Sequence, residues 1–224
     1  MIEELAWDSN FFGYRIGKVE VNKVNSFDLK KLKKASFDLI YIFSKIKLPN
    51  EFDSLLVDEK ITFQKITFEK TKNKKIKIFD KNIHSYLELL DLAFQSGHES
   101  RFLKDSFFGI DAFKKLYKKW VDNSFKSKNC KVLVYLYQNK IVGFVIYKKL
   151  DDLNIIELIA VDHQYRGKNI GKELINAVEF YTGPNQMLKV ATQKVNIGAC
   201  NFYKKNNFKK CKLSYIYHYA PNTI

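Results

Sequence analysis

The 224-residue chain is 46% hydrophobic and 28% charged, with a formal net charge of +15, which suits one large or two small globular domains with a proper core. No apolar run approaches the roughly 18 residues needed to span a bilayer, and "MIEELAWDSN" has no basic stretch ahead of an apolar core, so neither a membrane span nor a secretory signal is expected. Cys130, Cys200 and Cys211 are scattered and odd in number, which argues against a disulfide framework and against a metal site; the expected location is cytoplasmic.

The basic balance does not by itself point to nucleic acid. Arginine, whose fork grips phosphates and bases, occurs only at Arg15, Arg101 and Arg166, and the remaining cations are lysines spread along the whole chain. An acidic small molecule fits that charge at least as well, and no nucleic-acid partner is expected.

In chain order, "YRIGKVEV" predicts a strand, "FDLKKLKKA" a short helix, and "DLIYIFSKI" and "ITFQKITFEK" two further strands. The charged "NKKIKIFDKN" reads as a crossing, which divides the chain into an N-terminal half, residues 1–80, and a second domain, residues 81–224. "HSYLELLDLAFQSG" predicts a helix with Leu87, Leu90 and Phe94 on one stripe and Gly97 as a stop. "IDAFKKLYKKWVDNSF" predicts another, with Phe113, Leu116, Tyr117 and Trp120 as core. "KVLVYLYQNKIVGFVIYK" reads as a hairpin turning at Gln138-Asn139-Lys140, and "NIIELIAV" as a strand buried on both faces. A helix follows from Ile170 to about Tyr181, with Ile170, Leu174, Ile175, Val178 and Tyr181 inward. "PNQMLKVATQ" is a strand, "NIGACNFYKKNN" a helix and "FKKCKLSYIYHY" a last strand.

Between "IIELIAV" and that helix lies "HQYRGKNIGKEL". The backbone N–H groups of such a turn converge on a helix N-terminus, whose dipole favours an anion. Gly167 permits close approach to the backbone, and Arg166, Lys168 and Lys172 add charge. Contacts of that kind contribute about 1.5–3 kcal/mol each. Taken alone, the stretch is equally consistent with an ordinary strand-to-helix turn decorated by lysines.

"VDHQYRGKNIGKEL" resembles the acetyl-CoA-binding motif of the GCN5-related N-acetyltransferases, an Arg/Gln-x-x-Gly-x-Gly/Ala turn at the end of a strand. Downstream, Asn196, Ala199, Phe202, Tyr203 and Phe208 in "TQKVNIGACNFYKKNNF" follow in order the second signature of that superfamily. Three positions depart from the pattern: Asn169 and Asn207 replace glycines, and His163 a frequent proline. Asparagine is the residue other than glycine that best accepts a left-handed backbone.

The resemblance implies an α/β acyl-CoA N-acyltransferase fold: a strongly twisted mixed sheet with helices on both faces. In it, the strands ending at Val161 and Gln193 would run parallel and be splayed by a bulge. The resemblance implies acetyl-CoA as acyl donor, with Ile159, Ala160 and Val161 along its arm and main-chain contacts from Ile159 and Val161. Arg166, Gly167, Lys168, Asn169, Ile170, Gly171 and Lys172 would lie around the pyrophosphate, with Asn196, Ala199 and Tyr203 completing the cofactor site. Tyr203 matches the general acid, and Glu157 is the carboxylate best placed to deprotonate the amine, directly or through water. His84, His98, His163 and His218 are other bases by residue type. The reaction implied is direct attack of a primary amine through a tetrahedral intermediate, without a metal.

"LAWDSNFFGYRIGKV" and "SGHESRFLKDSFFGIDAFKKLYKKWVDNSF" further resemble a subgroup with an extra N-terminal half, the TDP-fucosamine acetyltransferases. These acetylate the 4-amino group of a nucleotide-linked 4-amino-4,6-dideoxygalactose. That implies a nucleotide-activated amino sugar as acceptor. By residue type, Arg101, one of only three arginines in a lysine-rich chain, offers a fork that suits a phosphate, with His98, Phe102 and Asp105 beside it as the candidate acceptor site; an arginine capping or bridging two helices fits equally. The resemblance also implies an incomplete copy of the fold in the N-terminal half and a homodimer, for which an exposed final strand would suit pairing. Other amines (a protein N-terminus, a polyamine, an antibiotic) and a non-catalytic basic binding module stay open.

Overall fold

The computed structural model describes residues 2–22 and 32–221. These form two compact units. The first comprises residues 1–61, 193–195 and 212–224; the second comprises residues 62–192 and 196–211. Strands β4 (Leu56–Ile66) and β10 (Lys209–Tyr219) run from one unit into the other. This division differs from a cut at residue 80. The helix read over residues 27–35 falls largely outside the described residues.

The first unit carries β1 (Glu3–Glu4), α1 (Ala6–Phe12), β2 (Ile16–Val21) and β3 (Leu39–Ser44). β1 and β2 are antiparallel, β2 and β3 parallel, and β3 pairs antiparallel with Tyr215–Tyr219 of β10. Ile40, Ile42, Leu48, Tyr217 and Tyr219 form its core. The conspicuous "WDSNFF" becomes α1, where Trp7 stacks on Phe11 at 5.0 Å. Ser9 Oγ takes the Ile16 N–H at 2.9 Å, which ties the helix to β2. The final strand is not an exposed edge as expected, because β3 supplies the partner that its sequence alone does not announce.

The second unit holds β5 (Ile76–Ile78), α2 (Tyr86–Ser96), α3 (Arg101–Lys104), α4 (Gly109–Lys126), β6 (Cys130–Tyr137) and β7 (Lys140–Lys149). β8 (Leu153–Val161), α5 (Ile170–Thr182), β9 (Met187–Gln193) and α6 (Ile197–Lys205) complete it. β5 to β8 pair antiparallel in sequence order, and β8 and β9 are parallel, giving the mixed sheet. Gln138 and Asn139 both have positive φ, 49° and 63°, the conformation of a type I′ hairpin between β6 and β7.

The pleat of β7 separates two helix layers. Phe144 and Ile146 point into a cluster with Leu89 and Leu92 of α2 and Val121 of α4. Gly143, on the opposite face, lies under Ile170 and Leu174 of α5. The expected α/β fold with helices on both faces is present.

Three expectations need correction. Residues 73–82 are not simply a crossing; they contain the edge strand β5. Helix α2 buries Leu89, Leu92 and Ala93, whereas Leu87 is 75% exposed. Leucines at 87, 89, 90 and 92 offer more than one helical stripe, and the periodicity cannot choose between them. β8 is not buried on both faces, for Glu157 is exposed and Ile155, Leu158, Ile159 and Val161 are partly so.

At the end of β4 the chain meets α5. Lys65 Nζ meets Glu179 Oε1 at 2.6 Å with the Glu179 side chain fully buried, and the other carboxylate oxygen takes the Phe68 N–H at 2.7 Å. Removing one member of such a pair leaves an uncompensated buried charge. Glu179→Gln is therefore expected to lower unfolding free energy by about 3 kcal/mol, read from the midpoint of a denaturant titration. A loss below about 1 kcal/mol would mean that Lys65 reaches water.

Candidate functional site

The site begins with a change of pairing along β8. Ile146 of β7 faces Leu158 while Tyr147 faces Ile156, so Glu157 is the extra residue of a β-bulge. β9 pairs with β8 only over Leu153–Ile156. Past the bulge β8 keeps β7 alone as a partner.

The phase of that remaining ladder decides which backbone groups are free. Asp162 N–H bonds to Val142 O at 3.0 Å, so Ala160 and Leu158, two and four residues earlier, also turn their N–H and C=O toward β7. Ile159 and Val161 turn theirs to the side that β9 has left. On this stretch of β8 the main-chain groups that face away from β7 are therefore those of Ile159 and Val161. Arg166 Nε donates to Val161 O at 3.1 Å, which also fastens the basic turn to the strand end.

The turn itself is built by short-range chemistry. Asp162 Oδ1 accepts the Gln164 N–H at 2.9 Å and Asp162 O the Tyr165 N–H at 2.8 Å, an Asx-type reversal directly after β8. Gly167 has φ 78°, and a Cβ there would meet nothing within 4 Å. Asn169 has φ 60° and ψ 5°, the left-handed conformation that a glycine of the motif would adopt. α5 starts at the next residue, with Glu173 N–H on Asn169 O at 3.1 Å. The N–H groups of Ile170, Gly171 and Lys172 are thus the unsatisfied donors of a helix start, flanked by the exposed Arg166, Lys168 and Lys172.

Gly171 sits in tight packing. A Cβ there would lie 3.0 Å from the Phe202 ring and 3.8 Å from Val161 Cγ2. Below it, a Cβ on Gly143 would lie 3.0 Å from Ile170 Cγ2 and 3.2 Å from Leu174 Cδ1. Gly143 and this use of Phe202 are additions to the residues expected from the sequence. A glycine within an apolar strand was the available signal for the first.

α6 is capped at both ends by asparagine. Asn196 Oδ1 accepts the Ala199 N–H at 3.0 Å, an N-cap that leaves the amide nitrogen as a donor. At the other end Asn207, φ 66°, takes the left-handed position, with its N–H on Lys204 O and the Phe208 N–H on Tyr203 O, a Schellman arrangement. Phe208 is thereby set against Tyr203, ring centroids 5.6 Å apart, with Phe63 and Phe202 at 5.6 and 5.4 Å. Tyr203 is 4% exposed. Burial pushes its phenol above the ordinary tyrosine value, so it is a proton donor at neutral pH.

The other predicted residues are placed as follows. Glu157 is exposed at the bulge, with Cys130 Sγ 3.9 Å from its Oε2. Burial raises the Cys130 thiol, and the Glu157 charge adds to the effect. Phe102 is 6% exposed among Phe108 and Trp120, which leaves little of its ring for a ligand. Arg101 lies over the Phe102 ring at 4.3 Å, and Asp105 Oδ1 accepts the Phe107 N–H at 2.9 Å. His98 is exposed and pairs with Glu99 at 3.0 Å. Of the remaining histidines, His84 accepts the Asp80 N–H, His163 lies beside Asp162, and His218 is buried against Tyr41 in the first unit. Among the described residues no cluster of His, Cys, Asp and Glu could hold a metal ion, and no helix is long and apolar enough to cross a membrane.

The sequence profile of the Acetyltransferase (GNAT) family matches residues 86–208. Spore coat polysaccharide biosynthesis protein SpsD of Bacillus subtilis (strain 168) is 26% identical over 135 residues, covering 59% of this chain and 47% of that protein. Streptothricin acetyltransferase A of the same organism is 36% identical over 78 residues, covering 34% and 45%. The chain spans about half the length of these curated relatives. In fold, it is similar to a functionally unknown conserved protein from Staphylococcus epidermidis ATCC 12228. The TM-score is 0.68 at 14% identity, over 92% of this chain and 83% of that one. A GNAT-family protein from Novosphingobium aromaticivorans DSM 12444 follows at 0.52 and 11%, over 85% and 77%.

The left-handed backbone at position 169 gives a stability test. Asn169→Gly should leave the unfolding free energy within about 0.5 kcal/mol, while Asn169→Val should cost about 1–2 kcal/mol, measured by denaturant unfolding. Equal stability of the two variants would mean that the turn does not hold that conformation.

Proposed function

The chain belongs to the Acetyltransferase (GNAT) family, and on that premise we propose that it moves an acetyl group from acetyl-CoA to the primary amine of a nucleotide-linked amino-deoxy sugar. The observation that carries the reading is the divergence of β9 from β8 at the Glu157 bulge. It frees the Ile159 and Val161 backbone groups within the same unit as the basic turn and α6. Acetyl-CoA supplies the activated acetyl group as a thioester, and the residues of the turn, from Arg166 to Lys172, would hold its pyrophosphate. An N–H of Ile159 or Val161 would donate to the carbonyl oxygen on which charge develops, a contribution worth about 10²–10³ in rate in comparable sites.

Tyr203 is the proton donor for the departing thiolate, and Glu157 takes the proton released by the attacking amine, directly or through water. Tyr203 suits its role because burial holds its phenol protonated, whereas an exposed tyrosine begins to ionise near about pH 10. Asn196, with its carbonyl oxygen committed to the cap, keeps its NH₂ for the cofactor arm. The similarity to a polysaccharide biosynthesis protein supports a sugar acceptor. Arg101, with Phe102, His98 and Asp105 beside it, remains the proposed wall for that acceptor, Phe102 through its hold on Arg101. The similarity to a streptothricin acetyltransferase supports a second reading, an antibiotic amine as acceptor.

A thiol-release assay with acetyl-CoA separates the two readings. Turnover with a thymidine-diphosphate 4-amino sugar but not with streptothricin-type amines is the expected result; the reverse result would move the assignment to the antibiotic. Tyr203→Phe is expected to reduce kcat by about 10²-fold or more while acetyl-CoA affinity in a calorimetric titration stays within about twofold. The pH profile gives a signed check. With its pKa raised, Tyr203 keeps its proton through about pH 10, so the wild-type kcat should show no alkaline decline from this residue below that pH. Unchanged kcat in Tyr203→Phe removes it from the acid role.

A further inference from the structure

The segment between β4 and β5 follows α5 backwards. Phe68 is held at Glu179 near the C-terminal end of the helix, and Asn73 Nδ2 donates to Glu173 Oε2 at 2.9 Å in its first turn. The segment therefore runs antiparallel to α5, over the roughly 9 Å that six helical residues occupy, and reaches the end where the basic turn lies. Asn73 is fixed from both sides, since its Oδ1 accepts the Lys75 N–H at 2.9 Å and its carbonyl the Ile76 N–H at 3.2 Å. Its neighbours Lys72 and Lys74 are exposed, and neither forms an ion pair among the described residues. Glu173, the carboxylate that could have neutralised them, is engaged instead by the uncharged amide of Asn73.

Two lysines thus flank a residue tied to the first turn of α5, the turn whose Ile170, Gly171 and Lys172 N–H groups have no helical partner. Coenzyme A carries two kinds of phosphate. The pyrophosphate fits a ring of backbone N–H donors, whereas the 3′-phosphomonoester, one ribose away, bears about −1.5 to −2 charge near pH 7 and calls for mobile cations. Lysine, a compact charge on a flexible stem, meets a phosphomonoester whose orientation is not fixed by the cradle.

Resting on the acetyl-CoA reading above, we infer that the segment held by Asn73 is a second binding element of the donor site, in which Lys72 and Lys74 take the 3′-phosphate of coenzyme A. Affinity for the donor is then divided between two separate parts of the chain, and the segment discriminates coenzyme A from its 3′-dephosphorylated form.

The test is calorimetric titration of coenzyme A and of 3′-dephospho-coenzyme A into the wild-type protein, into Lys72→Ala/Lys74→Ala, and into Lys114→Ala/Lys115→Ala. The last pair is exposed on α4 and makes the same change in net charge. Wild type should bind coenzyme A about tenfold more tightly than the dephosphorylated form, the effect of two partly exposed charge contacts. Lys72→Ala/Lys74→Ala should bring that ratio to within about twofold by weakening coenzyme A alone, and the control pair should leave it unchanged. Asn73→Ala should reduce the ratio without any change in net charge. Equal wild-type affinity for the two molecules overturns the inference alone, as does a uniform loss for both in the lysine variant or an equal effect of the control pair. Binding of neither molecule to the wild type overturns the acetyl-CoA reading along with it.

Discussion

The first turn of α5 sits where a single added methyl group would push its neighbours by a few tenths of an ångström, and three pieces of the candidate site meet at that tight contact. Gly143 lets Ile170 and Leu174 settle onto β7, and Gly171 lets the Phe202 ring and Val161 close in from the other side. Three pieces of the site are thereby brought into register: the helix start with its free N–H donors, the end of β8, and the helix that carries Tyr203. None of these contacts involves a charged group. The electrostatics of the turn are laid on a frame set by close packing, where displacements of a few tenths of an ångström are felt.

The same frame explains why two asparagines can stand where glycines are expected. Asn169 and Asn207 both hold a left-handed backbone, φ 60° and 66°, and each stands at a helix end where a backbone hydrogen bond engages it. Asn169 starts a helix by giving its carbonyl to Glu173, and Asn207 ends one by returning its N–H to Lys204. The demand at both positions is on φ and not on the absence of a side chain. At Gly143 and Gly171, whose φ values are not positive, the demand is reversed: space is what matters there.

How much could be read from the amino acids follows the range of the interactions. The turn after β8 and the capping of α6 depend on residues within a few positions of one another, and both were legible in "DHQYRGKNIG" and "NIGACNFYKKNNF". The parallel pairing of β8 with β9 and the splay between them came with the family resemblance, and the bulge that splays them falls at Glu157. Features that rest on distant partners were not legible. The stripe that α2 buries depends on which face β7 presents, the last strand is interior because β3 lies beside it, and the tie between Asn73 and Glu173 joins residues 100 positions apart. Residues 98–105 are a candidate acceptor site by their types, and the contacts they make within the fold are not announced by those types. In the fold, the Phe102 ring is taken up by aromatic packing and Asp105 by a turn.

The extra residue at Glu157 has a consequence that no side chain records. Before it, β8 turns Leu153 toward its hairpin partner Leu150, so odd-numbered residues face β7; after it, Asp162 does so, and even-numbered ones face β7. Pairing the same residues without the bulge would exchange the two sets, hiding the amides of Ile159 and Val161 in the ladder and baring those of Leu158 and Ala160. The chemistry offered at the gap is therefore set by where the extra residue sits. Every side chain along the strand could vary while that position holds, yet a bulge moved beyond Val161 would be a change of active site.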